Sequence, residues 1–98
     1  MTEPVASGGG AIRRTVTICN RRGLHARAAA RFVRLAEQFQ SEIVVAKNGT
    51  SVSGLSIMGL MMLAAGNGST IELRATGGDA MEAIEALAAL IASGFDEE

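Results

Sequence analysis

His25 is the only histidine of the chain, and it stands where a turn gives way to a helix. Gly23 lies two residues before it, and a run with strong helix character begins at Ala26. The first backbone N–H groups of a helix point outward and favour anions, phosphate among them. Neutral imidazole is also a nucleophile near neutral pH, because its unperturbed pKa is about 6.5. His25 is therefore the candidate for a nucleophile that carries a phosphoryl group.

Basic residues surround His25, whereas acidic residues crowd the second half of the chain, although the net charge is only −1. This charge pattern predicts an anionic ligand or an acidic partner surface, with a solvated basic face of no function as the alternative. The chain has three Phe and no Trp or Tyr, so it lacks aromatic platforms for stacking bases and no nucleic-acid partner is expected. The basic residues before residue 35 are Arg13, Arg14, Arg21, Arg22, Arg27, Arg31 and Arg34.

The 98 residues suffice for one domain, and a hydrophobic content of 48% predicts a packed core. Residues 1–10, which include three consecutive glycines, are predicted to be a flexible tail before a domain at 11–98. Cys19, the one cysteine, is expected to be a small core residue in a reducing compartment. No signal peptide or membrane-spanning run is visible, so we expect a cytoplasmic monomer without a membrane contact, metal or cofactor.

Hydrophobic periodicity and turn residues predict strands at 12–19, 43–46, 50–53 and 70–75. Asn48-Gly49 is a strong hairpin signal between the second and third strands, because both central positions of a type I′ turn require positive φ. Three helices are predicted, at 26 to about 37, at 57 to about 65, and from 80 to Gly94. Their predicted N-caps are His25, Ser56 and Asp79, and Asn67-Gly68 is predicted to close the second helix.

The inward faces of the first and third helices follow from apolar residues at helical spacing. The predicted order of elements is β-α-β-β-α-β-α, which favours an α+β two-layer domain and suits a split β-α-β arrangement with an extra terminal helix. The predicted inward residues are Ala29, Phe32, Val33, Ala36 and Phe39 in the first helix and Met81, Ile84, Leu87, Ala88 and Ile91 in the third.

The second helix carries two apolar stripes, and a short helix on a two-layer domain cannot bury both. Ile57, Met58 and Met61 form the first stripe, whereas Leu60, Leu63 and Ala64 form the second. We expect the first stripe to be exposed and to dock partners, since Met adapts to several surfaces. A helix that is entirely core is the alternative.

Three segments in order resemble the HPr family, the histidine-containing phosphocarriers of the bacterial phosphoenolpyruvate:sugar phosphotransferase system. They are Gly23-Leu24-His25-Ala26-Arg27, then Ser56-Ile57-Met58-Gly59-Leu60-Met61-Met62, then Gly77-Gly78-Asp79-Ala80. The resemblance covers roughly residues 12–95. It implies an open-faced sandwich, with three helices on one face of a four-stranded antiparallel sheet.

The resemblance also implies roles for individual residues. His25 matches the histidine phosphorylated on Nδ1, and Arg27 matches the arginine that steadies the phosphate, which the N–H groups of Ala26, Arg27 and Ala28 are expected to receive as well. Ser56 matches the serine that a dedicated HPr kinase/phosphorylase modifies in many members. Enzyme I is the implied donor and an enzyme II A-type protein the implied acceptor, in sugar uptake or in the nitrogen-related branch.

The sequence departs from the family pattern at two positions. Ala28 stands where many members have proline, which restores a backbone donor and removes a rigid φ. Leu55 stands where many members have lysine before the serine, so Ser56 is either a kinase target or a plain helix cap. The leading interpretation is a carrier without turnover of its own. The alternatives are an acylphosphatase-like, phosphate-binding hydrolase and a regulatory module that feeds no sugar permease.

Overall fold

The computed structural model describes residues 11–97. The tail predicted at 1–10 and the last residue, Glu98, lie outside the described residues. The elements follow the predicted order. They are β1 (Ile12–Thr17), α1 (Ala26–Ala36), β2 (Glu42–Lys47), β3 (Thr50–Ser53), α2 (Ile57–Met62), β4 (Thr70–Thr76) and α3 (Ala80–Ala92).

The four strands form one antiparallel sheet in the order β1-β4-β2-β3. Because β4 lies between β1 and β2, the β1-α1-β2 unit is split, as the order of elements predicted. The β2–β3 hairpin turns at Asn48 (φ 51°) and Gly49 (φ 84°), which confirms positive φ at both turn positions. The three helices lie on one face of this sheet, so the α+β open-faced sandwich is confirmed.

The core lies between the sheet and the helices. Alternate residues of β4, namely Ile71, Leu73 and Ala75, are buried against it, as the period of two predicted. Of the residues predicted to face inward from the first helix, Ala29, Phe32, Val33 and Ala36 are buried, whereas Phe39 lies beyond the end of α1 and is only partly buried against the core. In α3, Ile84, Leu87 and Ile91 are buried, and Ala88 is partly buried against the core. Met81 is 47% exposed, so its predicted inward position is wrong, and the core position is taken by Ala80 and Ala83 instead.

Three local predictions are wrong because contacts between distant segments prevail. β1 ends at Thr17, and Cys19 is exposed with its Sγ 3.3 Å from the carbonyl oxygen of Ile91, so it is not a core residue. Asp79 occupies the N-cap position of α3, as predicted, but its side chain makes no capping hydrogen bond. Its carboxylate instead accepts hydrogen bonds from the Ser41 hydroxyl and from the backbone N–H groups of Gln40 and Ser41.

The third wrong prediction is the end of α2, which stops at Met62 rather than near 65. Ala64 adopts φ 54° and is exposed, so it closes the helix in the left-handed conformation that was expected of Asn67-Gly68. The carbonyl oxygen of the next residue, Ala65, accepts a hydrogen bond of 2.9 Å from the N–H of Leu24. The end of α2 is thereby joined to the segment that leads to His25. Within residues 11–97, no helix has the length and apolar character needed to cross a membrane.

Candidate functional site

His25 is the N-cap of α1, as predicted. Its backbone is extended (φ −73°, ψ 178°), and its Nδ1 accepts a hydrogen bond of 3.3 Å from the backbone N–H of Arg27. The side chain is 16% exposed, so most of the ring is covered by the protein and a small part of it reaches solvent. An Nδ1 that accepts this bond carries a lone pair rather than a proton, and this lone pair faces the N-terminus of α1.

Gly23 fixes the approach to the histidine. Its φ of +67° is the left-handed conformation that glycine adopts without strain. A Cβ at this position would lie 2.4 Å from the carbonyl oxygen of Ala65 and 2.7 Å from Cα of Gly66. The carbonyl group of Gly23 accepts hydrogen bonds from the N–H of His25 and from the side-chain amide of Asn20, both 2.9 Å long. Only glycine therefore lets this turn pack closely against the end of α2.

Of the three residues of the first turn of α1 whose N–H groups were predicted to bind the phosphate, two are exposed and one is buried. Ala26 and Arg27 are exposed, and the guanidinium of Arg27 makes none of the hydrogen bonds found within residues 11–97. Ala28 is fully buried, which closes its N–H to an incoming anion. The structure thus brings His25, Ala26 and Arg27 together at the surface and removes Ala28 from it.

A carboxylate on the far edge of the ring is the contact that the sequence did not reveal. Oε2 of Glu97 lies against Nε2 of His25, 72 residues away in the chain. Oε1 of Glu97 accepts a hydrogen bond of 3.1 Å from the side-chain amide of Asn20. The hydrogen bond from His25 is the main cause that lowers the pKa of Glu97 below its ordinary 4.5, and the Asn20 bond adds to it against the opposing effect of desolvation. Glu97 is therefore ionised at neutral pH.

The exposed stripe predicted on α2 is present in the structure. Ile57, Met58 and Met61 are 39%, 73% and 43% exposed, whereas Leu60 and Leu63 of the second stripe are buried. Ala64, the third residue of the second stripe, is exposed because the chain leaves the helix there, so its predicted inward position is wrong. Leu55 and Met62, which were not predicted to belong to the stripe, are also exposed and enlarge the apolar surface. Met61 and His25 line the same shallow cavity of about 330 Å³, so the stripe adjoins the histidine. We call Leu55, Ile57, Met58, Met61 and Met62 the α2 patch.

Ser56 is the N-cap of α2, and its Oγ accepts a hydrogen bond of 2.9 Å from the N–H of Gly59. The side chain is partly exposed at the edge of the α2 patch. The structural role predicted for Ser56 is therefore confirmed. Its hydroxyl hydrogen is free for other chemistry, because the capping bond uses only an oxygen lone pair.

Comparisons with known proteins agree with this geometry. Residues 12–93 match the family described as PTS HPr component phosphorylation site. The chain is 51% identical to the phosphocarrier protein HPr of Cupriavidus necator, over 88% of this chain and 97% of the relative. It is 45% identical to the phosphocarrier protein NPr of Shewanella violacea, over 88% and 94%. A crystal structure of HPr from Thermoanaerobacter tengcongensis superposes with a TM-score of 0.85 at 47% identity, over 89% of this chain and 98% of that one.

Proposed function

The chain belongs to the HPr family of phosphocarriers of the phosphotransferase system, and we propose that His25 is its phosphoryl acceptor. In this proposal enzyme I donates the group, and an enzyme II A-type protein takes it away. The observation that carries the proposal is the position of Nδ1, which faces the N-terminus of α1 beside the exposed residues Ala26 and Arg27. The family relatives give no support to the acylphosphatase-like alternative.

The first step is attack by the Nδ1 lone pair on phosphorus. The new P–N bond forms as the bond between phosphorus and the donor breaks, and the electron pair of that bond leaves with the donor. The Arg27 N–H, which donates to Nδ1 in the free protein, then turns to a phosphoryl oxygen. Transfer to the acceptor reverses these steps, so the protein is an intermediate without turnover of its own.

Two kinds of hydrogen-bond donor then hold the phosphoryl oxygens, namely backbone N–H groups and a guanidinium. The exposed N–H of Ala26 and the N–H of Arg27 belong to the first turn, where backbone donors have no partner within the helix. The guanidinium of Arg27, which has no hydrogen-bond partner among residues 11–97, adds a charge-assisted hydrogen bond, for which about 1.5–3 kcal/mol is typical. Because Ala28 is buried, we restrict the expected amide contacts to Ala26 and Arg27. Transfer is therefore expected to proceed with alanine rather than proline at position 28.

The α2 patch is the proposed docking surface for enzyme I and for the acceptor. Its flexible Met side chains suit a protein that must bind two different partners in turn. It adjoins His25, so a partner seated on it also covers the phosphorylation site. We propose that the protein acts as a monomer in the cytoplasm, because both partners need this surface uncovered.

Ser56 is the proposed regulatory site. A phosphoryl group there would add about −1.5 to −2 charges at the edge of the apolar patch. The charge would have to be desolvated on docking, so phosphorylation should weaken binding of enzyme I. Leu55 takes the place of the lysine found in many family members, so a kinase that modifies this chain must accept an apolar side chain before the serine.

The test is incubation of the purified chain with enzyme I and labelled phosphoenolpyruvate. We expect acid-labile label on the wild-type protein and none on His25→Ala. Arg27→Ala should slow labelling, whereas Arg34→Ala, a matched exposed arginine at the other end of α1, should leave it unchanged. Absence of label on the wild type, or label that persists in His25→Ala, would refute the proposal. Hydrolysis of an acyl phosphate would support the alternative.

A further inference from the structure

Residues 94–97, which follow the C-cap Ser93 of α3, form a defined segment that we call the C-terminal turn. Gly94, Phe95 and Asp96 all have positive φ, at 70°, 59° and 59°. Two of them are not glycine, so the backbone is held in a strained conformation that the rest of the structure must stabilise. Phe95 is fully buried, and its carbonyl oxygen accepts a hydrogen bond from the Arg31 guanidinium on α1. These contacts fix the direction in which the chain leads to Glu97.

We propose that Glu97 is a positioning residue that selects the reactive tautomer of His25, an inference that rests on the proposed role of His25 as phosphoryl acceptor. An ionised carboxylate can only accept hydrogen bonds, so Nε2 must carry the ring proton where it meets Oε2 of Glu97. The neutral ring then has its lone pair on Nδ1. Arg27 N–H favours the same state from the other edge of the ring.

The carboxylate also has a role after transfer. Once Nδ1 is bonded to phosphorus, Nε2 keeps its proton and the ring becomes positively charged. The negative charge of Glu97 faces this edge, on the opposite side of the ring from the phosphoryl group. Arginines of the described chain also surround His25 and Glu97, and their guanidiniums do not compete for the ring proton because they only donate. They are Arg21, Arg22, Arg27 and Arg31.

The fixed orientation of the Asn20 side-chain amide makes the choice of His25 tautomer testable by substitution of Glu97. It is 6% exposed, and its Nδ2 donates both to the carbonyl oxygen of Gly23 and to Oε1 of Glu97. If the Asn20 amide were flipped, its Oδ1 would meet the Gly23 carbonyl oxygen, so the amide is held in one orientation. In Glu97→Gln, the new amide must therefore turn its oxygen to Asn20 and its NH₂ group to His25. The NH₂ group donates to Nε2, which moves the ring proton to Nδ1 and occupies the reactive lone pair.

The experiment compares Glu97→Gln, Glu97→Ala and the wild type by ¹⁵N NMR of the ring nitrogens in the unphosphorylated chain. Asp96→Asn, an exposed acid in the same turn, is the matched control. We expect Nε2–H in the wild type and control, a mixture in Glu97→Ala, and predominantly Nδ1–H in Glu97→Gln. The rate of phosphorylation by enzyme I should fall in the same order, by at least about tenfold in Glu97→Gln, which is the lower bound expected from loss of one charge-assisted hydrogen bond.

This order separates a positioning role from a structural one. If Glu97 only tethered the C-terminal turn, the isosteric Glu97→Gln change would be milder than Glu97→Ala in both measurements. That result, or a wild-type spectrum in Glu97→Gln, would overturn the inference. The tautomer measurement needs no phosphoryl transfer. Failure of the wild type to accept phosphate would therefore refute the proposed function and leave the tautomer result to decide the inference.

Discussion

Replacement of Gly23 by alanine tests whether the close approach of two turns positions His25. The matched control is Gly49→Ala in the β2–β3 hairpin. Both glycines have positive φ, +67° and +84°, so both substitutions bring the strain of a left-handed alanine, about 1–2 kcal/mol. A Cβ on Gly49 would meet no heavy atom within 4 Å, whereas one on Gly23 would meet backbone atoms at 2.4 and 2.7 Å.

The difference between the two variants isolates the cost of this overlap. Overpacking typically costs about 1–3 kcal/mol when neighbours must shift, and here the neighbours are backbone atoms that cannot rotate away. We therefore expect the free energy of unfolding to fall by about 1–2 kcal/mol in Gly49→Ala and by about 2–5 kcal/mol in Gly23→Ala. Urea denaturation of both variants measures the two values against the wild type.

The two variants should also differ in function. The Gly23 turn holds the N–H of His25 and lies beside the bond between Leu24 and Ala65, so its displacement moves the phosphoryl acceptor. Gly49→Ala should be phosphorylated by enzyme I at the wild-type rate, whereas folded Gly23→Ala should be phosphorylated more slowly. Equal losses of stability in the two variants, with equal phosphorylation rates, would refute the argument that the approach to Ala65 requires glycine.

Three further predictions concern the core, the dependence of stability on pH and the docking surface. Phe95→Ala should lower the free energy of unfolding by about 3–5 kcal/mol in urea denaturation, because the ring is fully buried. Met58 is 73% exposed, so Met58→Ala should change the free energy of unfolding little. Equal effects of the two substitutions would contradict the packing of Phe95 in the core. The hydrogen bond from the Ser41 hydroxyl is the main cause that lowers the pKa of Asp79 below 3.8, so the stabilisation is present above about pH 4 and is lost as the pH falls through the lowered pKa. Ser41→Ala should therefore destabilise the protein at neutral pH, and the loss of stability should shrink as the pH falls through that pKa. A loss of stability that is independent of pH would argue against this cause. Ser56→Asp should weaken the affinity for enzyme I measured by calorimetry, because it places negative charge at the edge of the α2 patch. Ser51→Asp, a control on the exposed edge strand β3, should leave this affinity unchanged. An unchanged affinity of Ser56→Asp would exclude the proposed regulation.

Features that depend on local sequence could be predicted. The order of elements, the Asn48-Gly49 turn and the capping position of His25 each follow from a few consecutive residues. The two faces of α2 followed from helical spacing together with the limited area that one short helix can cover. In these cases the physical preference of the segment and the requirement of the fold coincide.

Features that depend on contacts between distant segments could not be predicted. The Asp79 carboxylate binds Ser41, 38 residues away, although its position before a helix is typical of a cap. Cys19 lies beyond the end of β1, and its thiol contacts the backbone of α3 rather than the core. The contact of Glu97 with His25 joins residues 72 apart, and an acid near the chain end carries no local signal for it.

The central claim is that Nδ1 of His25, presented at the N-terminus of α1, is the atom that carries the phosphoryl group. The most direct measurement is the ³¹P–¹⁵N coupling in ¹⁵N-labelled protein phosphorylated by enzyme I and phosphoenolpyruvate. The account predicts phosphorus bonded to Nδ1 and a proton on Nε2. Phosphorus on Nε2, on another residue or on no residue of the chain would contradict it.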